Sequence, residues 1–221
     1  IFAALLQRRI AKTLDRHLQK TQFGFRRDKS TADAIHLIRR VIEYGESTTN
    51  QLHLLLLDWE KAFDKINRPQ LMNSMRRMGV HPKLLELTKM LYKDTQFKVE
   101  IDGNSSDWME QTTGIRQGCP LSPYLFLIAM TAMFHDVHRQ VDSTMGKQRI
   151  PGAEFDEVTY ADDTICLATE TQAMNEFIKC IEREGKRYGM KLNKGKRELI
   201  TTCLLYTSPS PRDATLSRMP S

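Results

Sequence analysis

The sequence predicts an α+β fold in which a mainly antiparallel sheet is backed by helices. Helical and strand patterns alternate along the chain, and two predicted β-hairpins interrupt that alternation. The first hairpin turns at Gly103 between strands at 97–101 and 108–113, and the second joins 157–160 to 164–168. Because a hairpin pairs its strands antiparallel, whereas a parallel sheet needs long crossovers, this order favours an antiparallel sheet.

The first helices follow from apolar spacing and from residues that start helices. Residues 1–17 carry apolar side chains at helical spacing. Ser30 is placed to N-cap a second helix that ends near Gly45. Pro69 and Pro82 each open a further helix, since proline suits the first helical turn.

The remaining elements are two strands, two helices and a loop. The unbroken apolar run 52–57 predicts a strand buried on both faces, and a last strand is predicted at 199–202. A strongly apolar helix is predicted at 121–137, followed by a polar surface loop at 140–151. A further helix ends near Gly189.

Composition sets the class of protein. Hydrophobic residues make up 40% and charged residues 27%, the balance of a folded globular chain. No apolar run approaches the ~20 residues that a membrane span requires, so no membrane partner is expected. The net charge of +6 agrees with a polyanionic partner without requiring one. The four cysteines lack metal-ligand spacing, which favours free thiols in an intracellular, reducing compartment.

Three carboxylates form the strongest candidate site. Asp58 ends the apolar strand, and Asp162 and Asp163 stand at the tip of the second hairpin. Adjacent carboxylates repel each other unless a cation neutralises them, and hard oxygen ligands suit Mg²⁺. If the strands are neighbours, three carboxylates meet at one sheet edge, as a two-metal phosphoryl-transfer site requires. Taken alone, Asp-Asp at a turn and Asp after a strand are also ordinary turn chemistry.

Four ordered segments resemble the motifs lettered A to D of reverse transcriptases: LLLLDWEKAFDKI, GIRQGCPLSPYLF, TYADDTICLA and YGMKLNKGKRE. The upstream segment QFGFRRDKSTADAI resembles part of the fingers of the same family. The wording is most similar to non-LTR, or LINE-type, retrotransposons. The resemblance implies a right-hand polymerase palm at 51–202, with fingers-associated helices at about 69–93, and a partial fingers subdomain at 1–50.

The resemblance assigns catalytic roles to the carboxylates. It implies that Asp58, Asp162 and Asp163 hold two Mg²⁺ ions, with Mn²⁺ as an alternative, and that the Trp59 carbonyl completes one coordination shell. It also implies that Tyr160 shapes the hairpin under the primer end, although a half-buried strand aromatic explains that residue equally well.

Phe63 is expected to select the sugar of the incoming nucleotide. The related viral RNA polymerases place an aspartate at this distance from the first catalytic carboxylate, where it engages the ribose 2′-hydroxyl. By the resemblance, an aromatic ring instead fills the space of that hydroxyl, which implies a DNA product. Packing in the core is the competing explanation for Phe63.

The resemblance implies nucleotide and template contacts as well. Gln117 and Gly118 would lie against the nucleotide, and Lys196 would protonate the leaving pyrophosphate or stabilise its charge. For these residues the alternatives are turn structure and a solvated lysine. Template contacts are expected from three arginines, for which solvent exposure is the alternative: Arg26, Arg27 and Arg116.

The chain is expected to be a fragment of its parent enzyme. By the resemblance, a triphosphate-gripping segment should precede it and a thumb should follow it, so the isolated chain is expected to polymerise weakly or not at all. Residues 203–221, CLLYTSPSPRDATLSRMPS, match what results from translating a transposase-type sequencing adapter and are expected to be a disordered tail.

The predicted function is RNA-directed DNA synthesis. The expected partners are an RNA template, a DNA primer or target and deoxyribonucleoside triphosphates, in a parent element that acts in the nucleus. Two alternatives stay open: a group II intron-type reverse transcriptase, and a non-catalytic nucleic-acid-binding remnant of a decayed element. Survival of all three carboxylates argues against the remnant.

Overall fold

A computed structural model describes residues 1–48, 51–145 and 153–202, and it has the predicted α+β fold. The helices are, in chain order, α1 (Phe2–Leu14), α2 (Thr31–Ser47), α3 (Ala62–Lys65), α4 (Arg68–Arg77), α5 (Pro82–Tyr92), α6 (Ser122–Met145) and α7 (Thr171–Arg187). The strands are β1 (His53–Leu57), β2 (Gln96–Phe97), β3 (Glu100–Ile101), β4 (Asn104–Ser105), β5 (Met109–Glu110), β6 (Glu157–Tyr160), β7 (Asp163–Ala168) and β8 (Glu198–Thr201). Single 3₁₀ turns occur at Asp15–His17 and Lys194–Lys196.

The central sheet has the strand order β6-β7-β1-β8, and every neighbouring pair is antiparallel. Within this sheet, His53 of β1 lies opposite Ala168 of β7 on one side and Thr201 of β8 on the other. The second predicted hairpin is confirmed as β6–β7, with Asp163 as the first residue of β7. β1, which carries the first candidate carboxylate at its end, is therefore an interior strand.

Both faces of β1 are buried, as its apolar run predicts. Leu55 and Leu57 belong to a large core formed with α1 and α4 to α7, whereas Leu52 and Leu54 face a smaller core beneath α2. This alternation is the two-residue period of a strand, with apolar side chains on both faces. Helices therefore cover both faces of the sheet, and polar residues can be placed at the ends of its strands.

Helix starts were predicted well. Ser30 accepts a hydrogen bond from the Asp33 amide, and Asp33 accepts one in return from the Ser30 amide at 2.7 Å, so the pair forms a capping box. α4 begins one residue before Pro69 and α5 begins at Pro82. α2 continues two residues past the predicted end at Gly45, whose backbone is helical and buried.

Two predictions need correction. The helix predicted at 121–137 continues to Met145, because Val141 is buried one helical turn after Val137. The surface loop predicted from 140 is therefore wrong as far as 145. The first hairpin turns where predicted, with Ile101 opposite Asn104, but only two-residue pairs form, because the exposed ribbon lacks a packing partner.

Other parts of the sequence-based account are met or lie outside the described residues. Cys119, Cys166 and Cys180 are free thiols. Among the described helices, none combines the length and apolar character needed to cross a membrane. The rest of the predicted loop, and the predicted tail at 203–221, lie outside the described residues.

Candidate active site

Strand register places Asp58 beside the β6–β7 hairpin. Leu57, the last residue of β1, lies opposite Thr164 of β7. One residue further along the antiparallel pair, Asp58 follows Leu57 and Asp163 precedes Thr164. The carboxylates of Asp58 and Asp163 are therefore brought to the same end of the central sheet, as predicted from their positions in the sequence.

Asp162 reaches this end through a tight turn. Tyr160 pairs with Asp163, so Ala161 and Asp162 form the two-residue connection between β6 and β7. Ala161 has a φ of 56°, in the left-handed region that a two-residue hairpin turn requires. The Thr164 hydroxyl donates to the Asp162 carbonyl at 3.2 Å. Asp162 and Asp163 thus project from successive positions at the hairpin tip.

The three carboxylates interact electrostatically. Burial raises the pKa of Asp163 above its ordinary value, and the negative charges of Asp162 and Asp58 raise it further. A carboxylate in this position is stabilised in its charged form by a cation. The hard oxygen donors of the group suit a divalent ion such as Mg²⁺.

A cation is already present in the site, because Lys196 lies beside Asp58. Lys196 Nζ is 3.3 Å from Asp58 Oδ2, and Asn193 Nδ2 donates to the same oxygen at 3.2 Å. The backbone amide of Asn193 also donates to the backbone carbonyl of Asp58 at 2.8 Å. The segment predicted as motif D therefore returns to Asp58 and holds both its side chain and its backbone.

The carboxylates converge without coming into mutual contact. Their ligand oxygens do not all lie within 4.8 Å of one another, since Asp58 Oδ2 is directed toward Lys196 and Asn193. In the described part of the chain, one group of His, Cys, Asp and Glu side chains meets that distance, His138 with Asp156 and Glu157. A shared ion would therefore require these carboxylate oxygens to move closer together.

Trp59 is buried, and its indole Nε1 donates to the Thr164 hydroxyl at 3.3 Å. Its backbone pairs with Leu192 through bonds made by the flanking residues, Asp58 and Glu60. That pairing does not use the Trp59 carbonyl, which is the group expected to bind metal. The metal-binding role of the Trp59 carbonyl stays a prediction. The Trp59 side chain links the end of β1 to β7 through Thr164.

Phe63 packs against two other aromatic rings and is half-buried. Its ring stacks on Phe126 with centroids 4.7 Å apart, and it meets the edge of Phe25 at 6.3 Å. Phe126 is fully buried, whereas Phe63 is half-buried at the margin of the large core. The stacking on Phe126 agrees with both interpretations of Phe63, selection of the nucleotide sugar and packing in the core. Its role in sugar selection stays a prediction.

The loop that carries Gln117 and Gly118 borders an open cleft of about 700 Å³. Gln117 Nε2 donates to Asp64 Oδ1 at 2.9 Å, and both side chains are exposed. Gly118 has a φ of 79°, and a Cβ there would meet nothing within 4 Å. Arg116 is exposed and lines the same cleft. The loop is therefore open to a ligand, and its predicted contacts stay predictions.

Arg26 and Arg27 lie in different surroundings. The Arg26 side chain is 9% exposed, forms a two-pronged ion pair with Asp15 and donates to the Gln19 carbonyl at 3.0 Å. Arg27 is 94% exposed at the side chain. These contacts give Arg26 a structural role, joining the loop before α2 to the end of α1. Arg27 is exposed, and its template contact stays a prediction.

Sequence reasoning missed Gln22. Its buried side chain binds the backbone of Ala161 in the turn between β6 and β7. No local pattern marks this contact, because an amide that reaches a backbone 139 positions away leaves no periodicity. Asn193 belongs to a recognised motif but was not assigned a role, and its contact with Asp58 became visible only in the fold.

Comparison with known proteins shows the family of the chain. The family model described as reverse transcriptase (RNA-dependent DNA polymerase) matches residues 1–212, which extends past Thr202 into the predicted tail. A retrovirus-related Pol polyprotein from the type-1 retrotransposable element R2 of Nasonia vitripennis is 25% identical over 161 residues, or 73% of this chain and 15% of that protein. The RNA-directed DNA polymerase from mobile element jockey of Drosophila melanogaster is 26% identical over 204 residues, or 86% of this chain and 20% of that protein.

Solved structures agree on the fold. Telomerase from Candida tropicalis, in complex with a fragment of telomeric RNA, superposes with a TM-score of 0.67 at 15% identity, covering 89% of this chain and 33% of that one. The chain therefore spans a minor part of each of these proteins. The predicted resemblance to the reverse transcriptases of non-LTR retrotransposons is confirmed, and the chain belongs to the reverse transcriptase (RNA-dependent DNA polymerase) family.

Proposed function

We propose that this chain supplies the catalytic centre of a non-LTR retrotransposon polymerase that copies an RNA template into DNA. The observation that carries the proposal is the meeting of Asp58, Asp162 and Asp163 at one sheet end, with Lys196 3.3 Å from Asp58. The substrates would be deoxyribonucleoside triphosphates and the 3′-hydroxyl of a DNA primer or target.

The residues fit a pair of Mg²⁺ ions, with Mn²⁺ as a substitute. Burial and the charges of Asp162 and Asp58 raise the pKa of Asp163, which favours a bound cation, and carboxylate oxygens are ligands of the right hardness. Asp58 and Asp162 would hold both ions, and Asp163 would support the ion on the primer side. When bound, such ions activate an attacking hydroxyl and stabilise the charge of the leaving pyrophosphate.

The other residues of the site position the substrate. Lys196 carries the only positive charge in contact with Asp58 among the described residues, and its exposed Nζ can turn to the leaving pyrophosphate. Phe63, supported from behind by Phe126, would restrict the space beside the sugar. Gln117 lines the open cleft in which a nucleotide would lie, and Gly118 follows it in the same loop.

Single-turnover primer extension tests the proposal. The purified chain is held in excess over a DNA primer annealed to an RNA template, and one deoxynucleotide is supplied with Mg²⁺. We expect slow addition of that nucleotide, lost without the divalent ion and lost in the Asp162→Asn variant. Glu43→Gln, on the exposed surface of α2, is the control that should keep activity. Addition that persists in the Asp162→Asn variant would contradict the proposal.

A further inference from the structure

The side chain of Gln22 is 1% exposed and contacts the catalytic turn with both of its polar atoms. Gln22 Nε2 donates to the Ala161 carbonyl at 3.1 Å, and the Ala161 amide donates to Gln22 Oε1 at 2.9 Å. The same Oε1 accepts from the Gly24 amide at 2.8 Å. One buried amide group therefore binds both backbone groups of the residue that immediately precedes Asp162.

The chain around Gln22 is fitted closely to the β6–β7 hairpin. The Thr159 amide donates to the Thr21 carbonyl at 2.9 Å, and the Phe23 amide donates to the Thr159 carbonyl at 2.8 Å. Residues on either side of Gln22 thus pair with β6 as a short parallel bridge. A Cβ on Gly24 would come within 2.2 Å of the Ala161 nitrogen. The contact leaves no room for the turn to shift toward the fingers segment.

The turn needs support of this kind. Ala161 has a φ of 56°, a conformation that alanine adopts rarely and that persists where the surroundings hold it. The backbone direction at Ala161 decides where the next two side chains point, and these belong to Asp162 and Asp163. Rotation at this residue would move both carboxylates away from Asp58 together.

We infer that Gln22 is a positioning residue of the catalytic centre, which sets the direction of Asp162 and Asp163 by fixing the backbone of Ala161. It touches neither substrate nor reacting atoms and acts through the turn alone. The inference rests on the proposed polymerase function, which it deepens by assigning a task to the fingers segment. It also couples that segment to the palm at the residue before the metal-binding carboxylates.

The test compares Gln22→Met with the unmodified chain. Methionine keeps the length of the side chain and removes all three hydrogen bonds. Gln172→Met, at an exposed position in the first turn of α7, is the matched control. Mn²⁺ is the metal probe, and its binding is followed by electron paramagnetic resonance. Amide hydrogen exchange at Ala161 and thermal unfolding are measured on the same samples.

We expect Gln22→Met to weaken Mn²⁺ binding about 10- to 100-fold, the range found when a group that orients metal ligands is removed. The Ala161 amide should lose its protection from exchange in this variant, and the rate of nucleotide addition should fall with primer-template affinity unchanged. The control should match the unmodified chain in each measurement. A purely structural glutamine would lower the unfolding temperature and leave the Mn²⁺ affinity of the folded protein unchanged, which overturns the inference.

If Gln22→Met does not fold, amide exchange in the unmodified chain provides a second test of the inference. The Ala161 amide should then exchange as slowly as the amides of β7, although it sits in a two-residue turn. Exchange at the rate of a solvent-exposed amide overturns the inference. Failure of the proposed function would give a different result: in the chain with Gln22 intact, the Asp162→Asn substitution would leave Mn²⁺ binding unchanged.

Discussion

Lys196 Nζ lies 3.3 Å from Asp58 Oδ2, so a cationic side chain from the segment between α7 and β8 contacts the carboxylate that follows β1. The Lys196 side chain is 68% exposed and the Asp58 side chain 33% exposed, which leaves the lysine free to exchange this partner for another anion. An incoming triphosphate would offer such an anion. The contact therefore suggests that Lys196 shields Asp58 before substrate binds and serves the pyrophosphate afterwards.

Replacing Lys196 with methionine should separate these two tasks. Mn²⁺ binding should tighten by up to about fivefold, because an exposed ion pair is worth about 1 kcal/mol or less. Nucleotide addition should slow by ~100-fold if the lysine supplies a proton or stabilises developing charge. Metal titration and single-turnover extension measure the two effects. Lys194→Met, in the same turn, should change neither. A Lys196 variant that behaves like the Lys194 variant would identify Lys196 as a solvated surface residue.

Phe63→Ala should admit ribonucleotides while DNA synthesis continues. The ring is backed by Phe126 with centroids 4.7 Å apart, so it cannot retreat from an added 2′-hydroxyl. Small misplacements of a reacting group can cost about 100-fold in rate, which is ample for discrimination. The measurement is the ratio of deoxyribonucleotide to ribonucleotide incorporation.

Phe177→Leu provides the control for the Phe63 experiment, because Phe177 is fully buried in the same core but lies on α7. Its stability should fall with the incorporation ratio unchanged. If Phe63→Ala also leaves the ratio unchanged while activity collapses, Phe63 is a packing residue and the selective role is wrong.

Arg26 and Arg27 should separate stability from nucleic-acid binding. Arg26→Met should lower the free energy of unfolding by about 1–3 kcal/mol, because the Asp15 carboxylate and the Gln19 carbonyl lose a nearly buried donor. Arg27→Met should leave stability unchanged and weaken binding to an RNA–DNA duplex, with a shallower salt dependence. Urea denaturation and duplex titration at several salt concentrations measure these effects. If both variants fold and lose the same duplex affinity, Arg26 binds the template as the sequence predicted.

The sequence was sufficient for features that depend on local pattern. The apolar run before Asp58 has the two-sided burial of an interior strand, and the hairpin tip carries Asp162 where predicted. Ser30 caps its helix because its hydroxyl and the Asp33 carboxylate are spaced for that bond. Each of these features is decided within a few residues, by periodicity or by capping chemistry.

Features that depend on long-range contact could not be read in this way. Gln22 was included in the segment that resembles the fingers but was given no role, because nothing nearby shows that its amide would meet the backbone of Ala161. The prediction for Arg26 considered its charge and missed Asp15, whose position depends on how α1 ends. α6 passed its predicted end because burial of Val141 outweighs the polar composition of the preceding turn.

Asp136 of α6 should make the free energy of unfolding depend on pH. Arg77 donates to both of its carboxylate oxygens, and the Tyr188 hydroxyl donates at 2.8 Å. Burial opposes ionisation, but the bonds from Arg77 and Tyr188 outweigh it and hold the pKa of Asp136 below its ordinary value of 3.8. Because the folded-state pKa is depressed, the stabilisation is complete above about pH 4 and is lost as pH falls through the lower folded-state pKa.

Asp136→Asn should therefore lower the free energy of unfolding by about 1–3 kcal/mol near neutral pH. The difference from the unmodified protein should shrink as pH falls below about 4. Urea denaturation across this range measures it, with Glu43→Gln as the control for an exposed ion pair. A difference that stays constant with pH would show that the loss comes from packing and not from the charge of Asp136.

The central claim is that Asp58, Asp162 and Asp163 form one cation site. The direct measurement is Mn²⁺ titration of the unmodified chain and of three variants with asparagine at these positions, followed by electron paramagnetic resonance. Any ion held by His138, Asp156 and Glu157 stays constant across the series, so the differences report the catalytic carboxylates. Each variant should weaken the same binding step by at least about tenfold, with Asp107→Asn unchanged. Binding that is lost in Asp162→Asn but untouched in Asp58→Asn would contradict the account.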